Sequence, residues 1–223
     1  MMWTSDWEND SGLDGVEGGE LEEEIIVMYM NVGWSKDATH QCLEGCARGD
    51  VVMAFVGKCW VEKKSGVGTQ SYPDYVRLGS VSGGGKVACH VRRDLVDCCM
   101  LVGCENRFVC VKIVGVHIGG VYSKCGARVH EMLHCLGQVQ ALVGNGRWLL
   151  IGDWNAHHEE WSLDGRSDSV GKMLKEWQTS RGARVLTGRS HTFERRQGNG
   201  VVVSRIDFAL AGGGVVCRGF SSR

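Results

Sequence analysis

Arg147-Trp148-Leu149-Leu150-Ile151-Gly152-Asp153-Trp154-Asn155-Ala156-His157-His158-Glu159-Glu160-Trp161 is the stretch on which the reading of this chain turns. Trp148 to Ile151 is short and wholly apolar, the pattern of a strand buried on both faces. Gly152-Asp153 ends it. Alternation in extended chain puts Asp153 and Asn155 on one side of the strand tip, two residues apart. A carboxylate there can hold a divalent cation or take a proton from water. An amide can donate to a phosphate oxygen or orient that water. Hydrolysis of a phosphodiester needs both tasks, because charge develops on the equatorial oxygens while water attacks in line. Alone, Gly-Asp-x-Asn is also an ordinary strand-ending turn, where Asp and Asn are common.

Upstream, Ile25 to Met30 is an apolar run rich in strand formers that stops at the turn signal Asn31-Val32-Gly33. Residues 36–48 have helical spacing, and 51–56 read as a second apolar strand. Tyr75–Leu78, Lys86–Val91, Phe108–Val114 and Val116–Tyr122 read as further strands, with a flexible glycine-rich loop over 79–85. Met132, Leu133, Leu136, Val139 and Val143 recur near a 3.6-residue period, which predicts an amphipathic helix over 130–143 with Leu133 and Leu136 facing in. A further helix is predicted over 170–180 and a late strand or strand pair over 201–211. Strands with intervening helices, lacking strict βαβ alternation, fit a layered sheet-on-sheet core.

Composition narrows the class. The 223 residues suit one large domain, and 43% hydrophobic content excludes wholesale disorder. Residues 1–24 hold nine acidic side chains and no Lys or Arg, which predicts a solvated, disordered tail ahead of a domain over 25–223. The rest carries 17 acidic and 25 basic residues, a balance compatible with a polyanionic partner. No apolar run reaches membrane-spanning length and no secretory signal is present, so the expected setting is intracellular, nuclear or cytoplasmic, with no membrane partner. The 11 cysteines are odd in number and irregular in spacing, which favours reduced, mostly buried thiols over a disulfide framework. Trp34, Trp60, Trp148, Trp154, Trp161 and Trp177 read as core or rim packing rather than base-stacking platforms.

The segment Gly152-Asp153-Trp154-Asn155-Ala156-His157-His158, with Trp161 after it, resembles the GDFNAHH segment of non-LTR retrotransposon endonucleases of the endonuclease/exonuclease/phosphatase superfamily. Four other blocks follow that family's order. They are Tyr29 to Ser35 with its Asn31, Ile118 to Tyr122, Ser190 to Phe193 with its Thr192, and Ser204 to Phe208 with its Asp207. The resemblance implies an α+β fold of the DNase I-like kind: a four-layered sandwich, two mainly antiparallel sheets flanked by helices. It implies Mg²⁺-dependent nicking of target duplex DNA, with Mn²⁺ as the alternative ion and a reverse transcriptase portion of a longer polyprotein as partner. By the same resemblance Asn31 and Asp153 belong to the metal site. Asp153 orients the attacking water with Asn155 in support, Tyr122 and Thr192 contact the phosphate, and Asp207 partners a histidine.

Two departures accompany it. In the family a metal-binding Glu closes the second strand; here Trp60 sets the register and puts Lys58 in that place, an ammonium that repels Mg²⁺. The family's closing Ser-Asp-His segment has no counterpart after Asp207, which implies a missing last core strand and an open sheet edge. Both predict impaired hydrolysis and leave a second reading, a non-catalytic, DNA-binding remnant of the same fold. His130-Glu131-Met132-Leu133-His134 spells a zinc-protease string but falls on the expected outer helix without a third ligand, and is read as coincidence. A lipid or inositol-phosphate phosphatase is the remaining alternative within the superfamily.

Overall fold

Ile25, Val27 and Tyr29 alternate onto one buried face of their strand while Met30 is exposed, as a period of two requires. The computed structural model describes residues 2–5, 25–59, 72–79, 86–188, 192–197, 200–217 and 219–221. In chain order these form β1 (Met2–Ser5), β2 (Ile25–Asn31), α1 (Lys36–Arg48), β3 (Met53–Gly57), β4 (Tyr75–Leu78), β5 (Val87–Arg92), β6 (Cys99–Glu105), β7 (Phe108–Ile113), β8 (Val116–Tyr122), α2 (Val129–Val143), β9 (Arg147–Asp153), α3 (Ser169–Ser180), β10 (Arg184–Leu186), β11 (Phe193–Gln197), β12 (Gly200–Ser204), β13 (Asp207–Gly212) and β14 (Gly219–Ser221). The glycine-rich residues 80–85, together with Trp60, Ser190 and His191, lie outside the described residues.

Two six-stranded sheets face each other, ordered β14-β1-β2-β3-β5-β4 and β10-β13-β9-β8-β7-β6. Each is antiparallel except for one parallel pair, β2/β3 in the first and β8/β9 in the second. Their inner faces share a core that includes Val27, Phe55, Val91, Val109, Ile118 and Ile151. A second cluster seals the other face of β7–β9 and β13 against α2 and α3 through Leu136, Trp148, Trp154, Leu174 and Phe208. A third seats α1 on the first sheet through Cys42, Leu43 and Cys46. The result is the expected four layers.

The sheets approach closely at Gly120, where a Cβ would collide with the Phe55 ring. Gly152 is required for a different reason, since a Cβ there would strike the carbonyl oxygen of Val121 on the neighbouring strand. The Gly of Gly-Asp-x-Asn therefore serves the β8/β9 contact.

Two expectations are corrected. Met2–Ser5, assigned to the acidic tail, pair antiparallel with β2 from Met2↔Met28 to Ser5↔Ile25. That edge of β2 is thereby paired, and β14 in turn pairs with β1. An apolar strand with unsatisfied N–H and C=O groups is a strong template, and Met2-Trp3-Thr4 supplies strand-compatible residues for it. Leu133, expected to face inward, is 48% exposed, whereas Leu136 is buried. The inward stripe of α2 runs through Met132, Cys135, Leu136, Val139 and Val143.

Candidate active site

The site is made where strand ends meet. Register places Tyr122 of β8 beside Asp153 of β9, and Asp207 of β13 opposite the same Asp153. From the other sheet, β2 ends on Asn31, paired with Gly57 at the end of β3, and Lys58 follows. The inter-sheet contact is direct: Asn31 Nδ2 donates to Asp153 Oδ2 at 2.9 Å. The Asn31 Oδ1 accepts the Gly33 N–H at 3.2 Å, which fixes the amide's orientation.

Asn155 reaches Asp153 by a route that strand alternation does not describe. β9 ends at Asp153, and Asn155 lies beyond it with φ +45, in the left-handed region that Asn tolerates better than most residues. Its Nδ2 donates to Asp153 Oδ1 at 2.5 Å and to the Ser123 carbonyl oxygen at 2.7 Å. The carboxylate and amide are together as expected, but a turn brings them together. Both Asp153 oxygens thus accept from side-chain amides, and the residue is only 4% exposed.

Thr192 is tied to the strand that carries Asp207. Its Oγ1 accepts the backbone N–H groups of Ile206 and Asp207, each at 3.0 Å, and so pins the start of β13. Tyr122 is buried, and the Lys58 Nζ lies 5.1 Å from its ring centroid. Lys58 itself has φ +49, a backbone conformation that is uncommon for a residue with a Cβ. Tyr29, which opens the first resemblance block but carries no assigned role there, also faces the site. It is fully buried, and burial followed by the negative charges of Asp153 and Asp207 holds its hydroxyl well above the usual tyrosine range. The signal was in the alternation Ile25, Val27, Tyr29, Asn31, which sends Tyr29 and Asn31 to the same side.

Burial pushes the Asp153 carboxyl up to about 6, against the opposing pull of the Asn31 amide and the Lys58 ammonium. Burial and then the neighbouring Asp153 charge push Asp207 up to about 7. Each carboxyl holds its proton more tightly in the folded chain than in the unfolded one, where an Asp titrates near 3.9. Their contribution to stability is therefore full below about pH 4 and is lost as pH rises through 6 to 7. Urea unfolding is expected to show stability falling by about 1–2 kcal/mol between pH 5 and pH 8, a figure kept low because Asp207 is only half-buried. An Asp207→Asn variant is expected to flatten that slope; an unchanged slope would remove Asp207 from the account.

The histidines and the zinc-protease string play structural parts. His158 packs its ring against Trp161 at 4.9 Å between centroids, and its Nδ1 accepts from the Glu160 N–H. Glu131, the would-be base of the string, caps α2 by accepting from the Arg128 N–H at 3.0 Å and pairs with Lys124 at 3.2 Å and Arg107 at 3.4 Å. Those partners hold its carboxyl down at about 2, as an ionised cap rather than a base. Among the described residues no group of three or more His, Cys, Asp or Glu could hold a metal ion. Nor is any described helix long and apolar enough to cross a membrane.

Residues 116–219 match the family model described as endonuclease-reverse transcriptase. Among solved structures, the chain is similar to the endonuclease domain of TRAS1, a telomere-specific non-LTR retrotransposon, with TM-score 0.70 and 21% identity over 83% of this chain and 84% of that one. It is similar to the 3′ phosphatase NExo from Neisseria, solved with a product DNA hairpin, at TM-score 0.55 and 14% identity over 83% and 86% of the chains. The AP endonuclease from Archaeoglobus fulgidus follows at TM-score 0.51 and 15% identity, with 83% and 86% covered. No curated protein matches at the sequence level. At these identities the structural likenesses speak for the fold.

Proposed function

We propose that this chain, whose residues 116–219 match the endonuclease–reverse transcriptase family model, is a retrotransposon-type domain that seats a DNA phosphodiester at Asp153 but hydrolyses it poorly. The observation that carries the reading is the convergence of Asn31, Tyr122, Asp153, Asn155 and Asp207 on one point from two sheets. Five side chains from four separate stretches of sequence are gathered there, four of them from the matched segment and Asn31 from the end of β2.

A divalent cation, Mg²⁺ or Mn²⁺, is what the family resemblance implies, and the donor set decides against it here. Mg²⁺ demands about six oxygen ligands in near-octahedral array, with carboxylates at the protein side. Two carboxyls are present, and both oxygens of Asp153 already face amide N–H donors. The Lys58 ammonium acts on Asp153 as a positive charge. These residues do not fit the ion, so no step is routed through it. What they can do is bind: Lys58 attracts a phosphate oxygen, the Asn155 amide orients a bound water, and Asp153 accepts that water's proton.

The test is a nicking assay on supercoiled plasmid with Mg²⁺, beside duplex binding measured in chelator. Duplex binding that weakens with added salt, with nicking no faster than that of Asp153→Ala, is the expected result. Robust nicking that disappears in Asp153→Ala would overturn the impairment, and absence of DNA binding would overturn the reading as a whole. A reverse transcriptase portion in the same polyprotein is the partner this reading implies, and translation of the adjoining frame tests it.

A further inference from the structure

Trp34 differs from the buried tryptophans among the described residues. Trp148, Trp154 and Trp161 are buried, whereas Trp34 is 39% exposed and stands three residues after Asn31. Its backbone is left-handed, with φ +66, a rare state for a bulky side chain, and the next strand end repeats it at Lys58 with φ +49. Main-chain bonds lock these positions together: Trp34 N–H to the Lys58 carbonyl at 2.7 Å, and Lys58 N–H to the Lys86 carbonyl at 2.6 Å. The side chains then arrange two ammonium groups against two rings. Lys86 Nζ is 4.7 Å from the Trp34 ring centroid, and Lys58 Nζ is 5.1 Å from that of Tyr122. Strained backbone that the surroundings hold in place gathers at ligand-binding sites.

An exposed indole flanked by cations is the combination that holds unpaired nucleic acid, because every base has a face to stack and every linkage a charge to neutralise. We propose that Trp34, Lys86 and Lys58 form a nucleotide platform at the mouth of the site. An unstacked base lies on the Trp34 indole, and the phosphates beside it are held by the two lysines, the Lys58 one next to Asp153. The ligand class is single-stranded or locally opened DNA, and the inference rests on the DNA-binding reading above. It gives Trp34 a positioning role toward the strand that enters the site, where the sequence alone assigned it to packing.

Fluorescence anisotropy of the full chain in chelator tests this, with a labelled oligothymidine and a labelled hairpin duplex as the two probes. Trp34→Ala is expected to weaken oligothymidine binding by roughly 5- to 150-fold, the range that base–aromatic stacking spans, while Trp34→Phe keeps most of the affinity. Lys86→Gln is expected to lower the slope of log affinity against log salt by about 0.7, one phosphate contact to a single strand. The duplex is expected to respond less than oligothymidine to Trp34→Ala. If oligothymidine binds the wild type and Trp34→Ala alike, the platform is overturned and Lys86 merely packs on the ring. If the wild type binds neither probe, the DNA-binding reading falls and takes the platform with it.

Discussion

Replacement of Lys58 by Glu is expected to raise Mg²⁺-dependent plasmid nicking by about a hundredfold or more over the wild type, the lower end of what one restored acid–base or electrostatic group contributes. Lys58 closes β3 at the point where Asn31 meets Asp153, so the substitution removes an ammonium and adds a third carboxylate to the same few ångströms. Three carboxylates crowded together repel, and Lys58→Glu is expected to melt below the wild type in chelator. Addition of Mg²⁺ is expected to restore the lost melting temperature in the variant and to leave the wild type unmoved, because only an ion that binds the folded state stabilises it. The thermal readout does not depend on turnover. A variant that neither nicks nor responds to Mg²⁺ would show that Lys58 is not what disables the site.

The second large effect is on stability. Trp154 sits between Asp153 and Asn155 yet points the other way. It is fully buried, its Nε1–H donates to the Phe208 carbonyl at 2.9 Å, and its ring stacks on Phe208 with centroids 5.6 Å apart. Trp154→Ala is expected to cost about 3–5 kcal/mol, a cavity beside Trp161 and Phe208 together with an orphaned carbonyl. A domain of this size has about 5–15 kcal/mol in total, so the urea midpoint is expected to fall by about a fifth or more. A loss below about 1 kcal/mol would mean the layer between the second sheet and α3 closes without this ring.

The fold was legible where periodicity was clean. Tyr75–Leu78, Val116–Tyr122 and Lys36–Arg48 end where the sequence pattern ends, because strand formers or an amphipathic stripe meet turn residues at both limits. The run over 201–211 resolves into two strands of different sheets, separated at Arg205-Ile206, where the alternation of apolar residues breaks. β6 was hidden: Cys99 to Glu105 is an edge strand with Met100 and Leu101 exposed and a bulge between Leu101 and Gly103, so neither face shows a regular pattern. β1 was hidden for the opposite reason, since its four residues precede an acidic stretch whose charge dominates any local reading.

Of the site, the sequence yielded residue identities and order, not geometry. Asp153, Asn155, Tyr122, Asp207 and Asn31 are brought together as the ordered blocks suggested. Thr192, which the resemblance puts at the phosphate, accepts from the backbone N–H groups of Ile206 and Asp207, 14 and 15 positions on, bonds that spacing cannot show. Tyr29 carries no role in the sequence pattern because an aromatic in an apolar strand is packing far more often than not. Exposure of Trp34 depends on a left-handed turn, which no single residue type announces.

The bond from Asn31 to Asp153 spans 122 residues of chain, and Asp207 meets the same Asp153 from a strand later in sequence. Closing such loops is entropically costly and slow, so the pocket is expected to assemble late and belongs to no local stretch of chain. An excised peptide carrying only Gly152 to Asn155 has the letters of the motif and none of its architecture. Occupancy of the pocket is in consequence a faithful gauge of whether both halves of the polypeptide have reached their native arrangement.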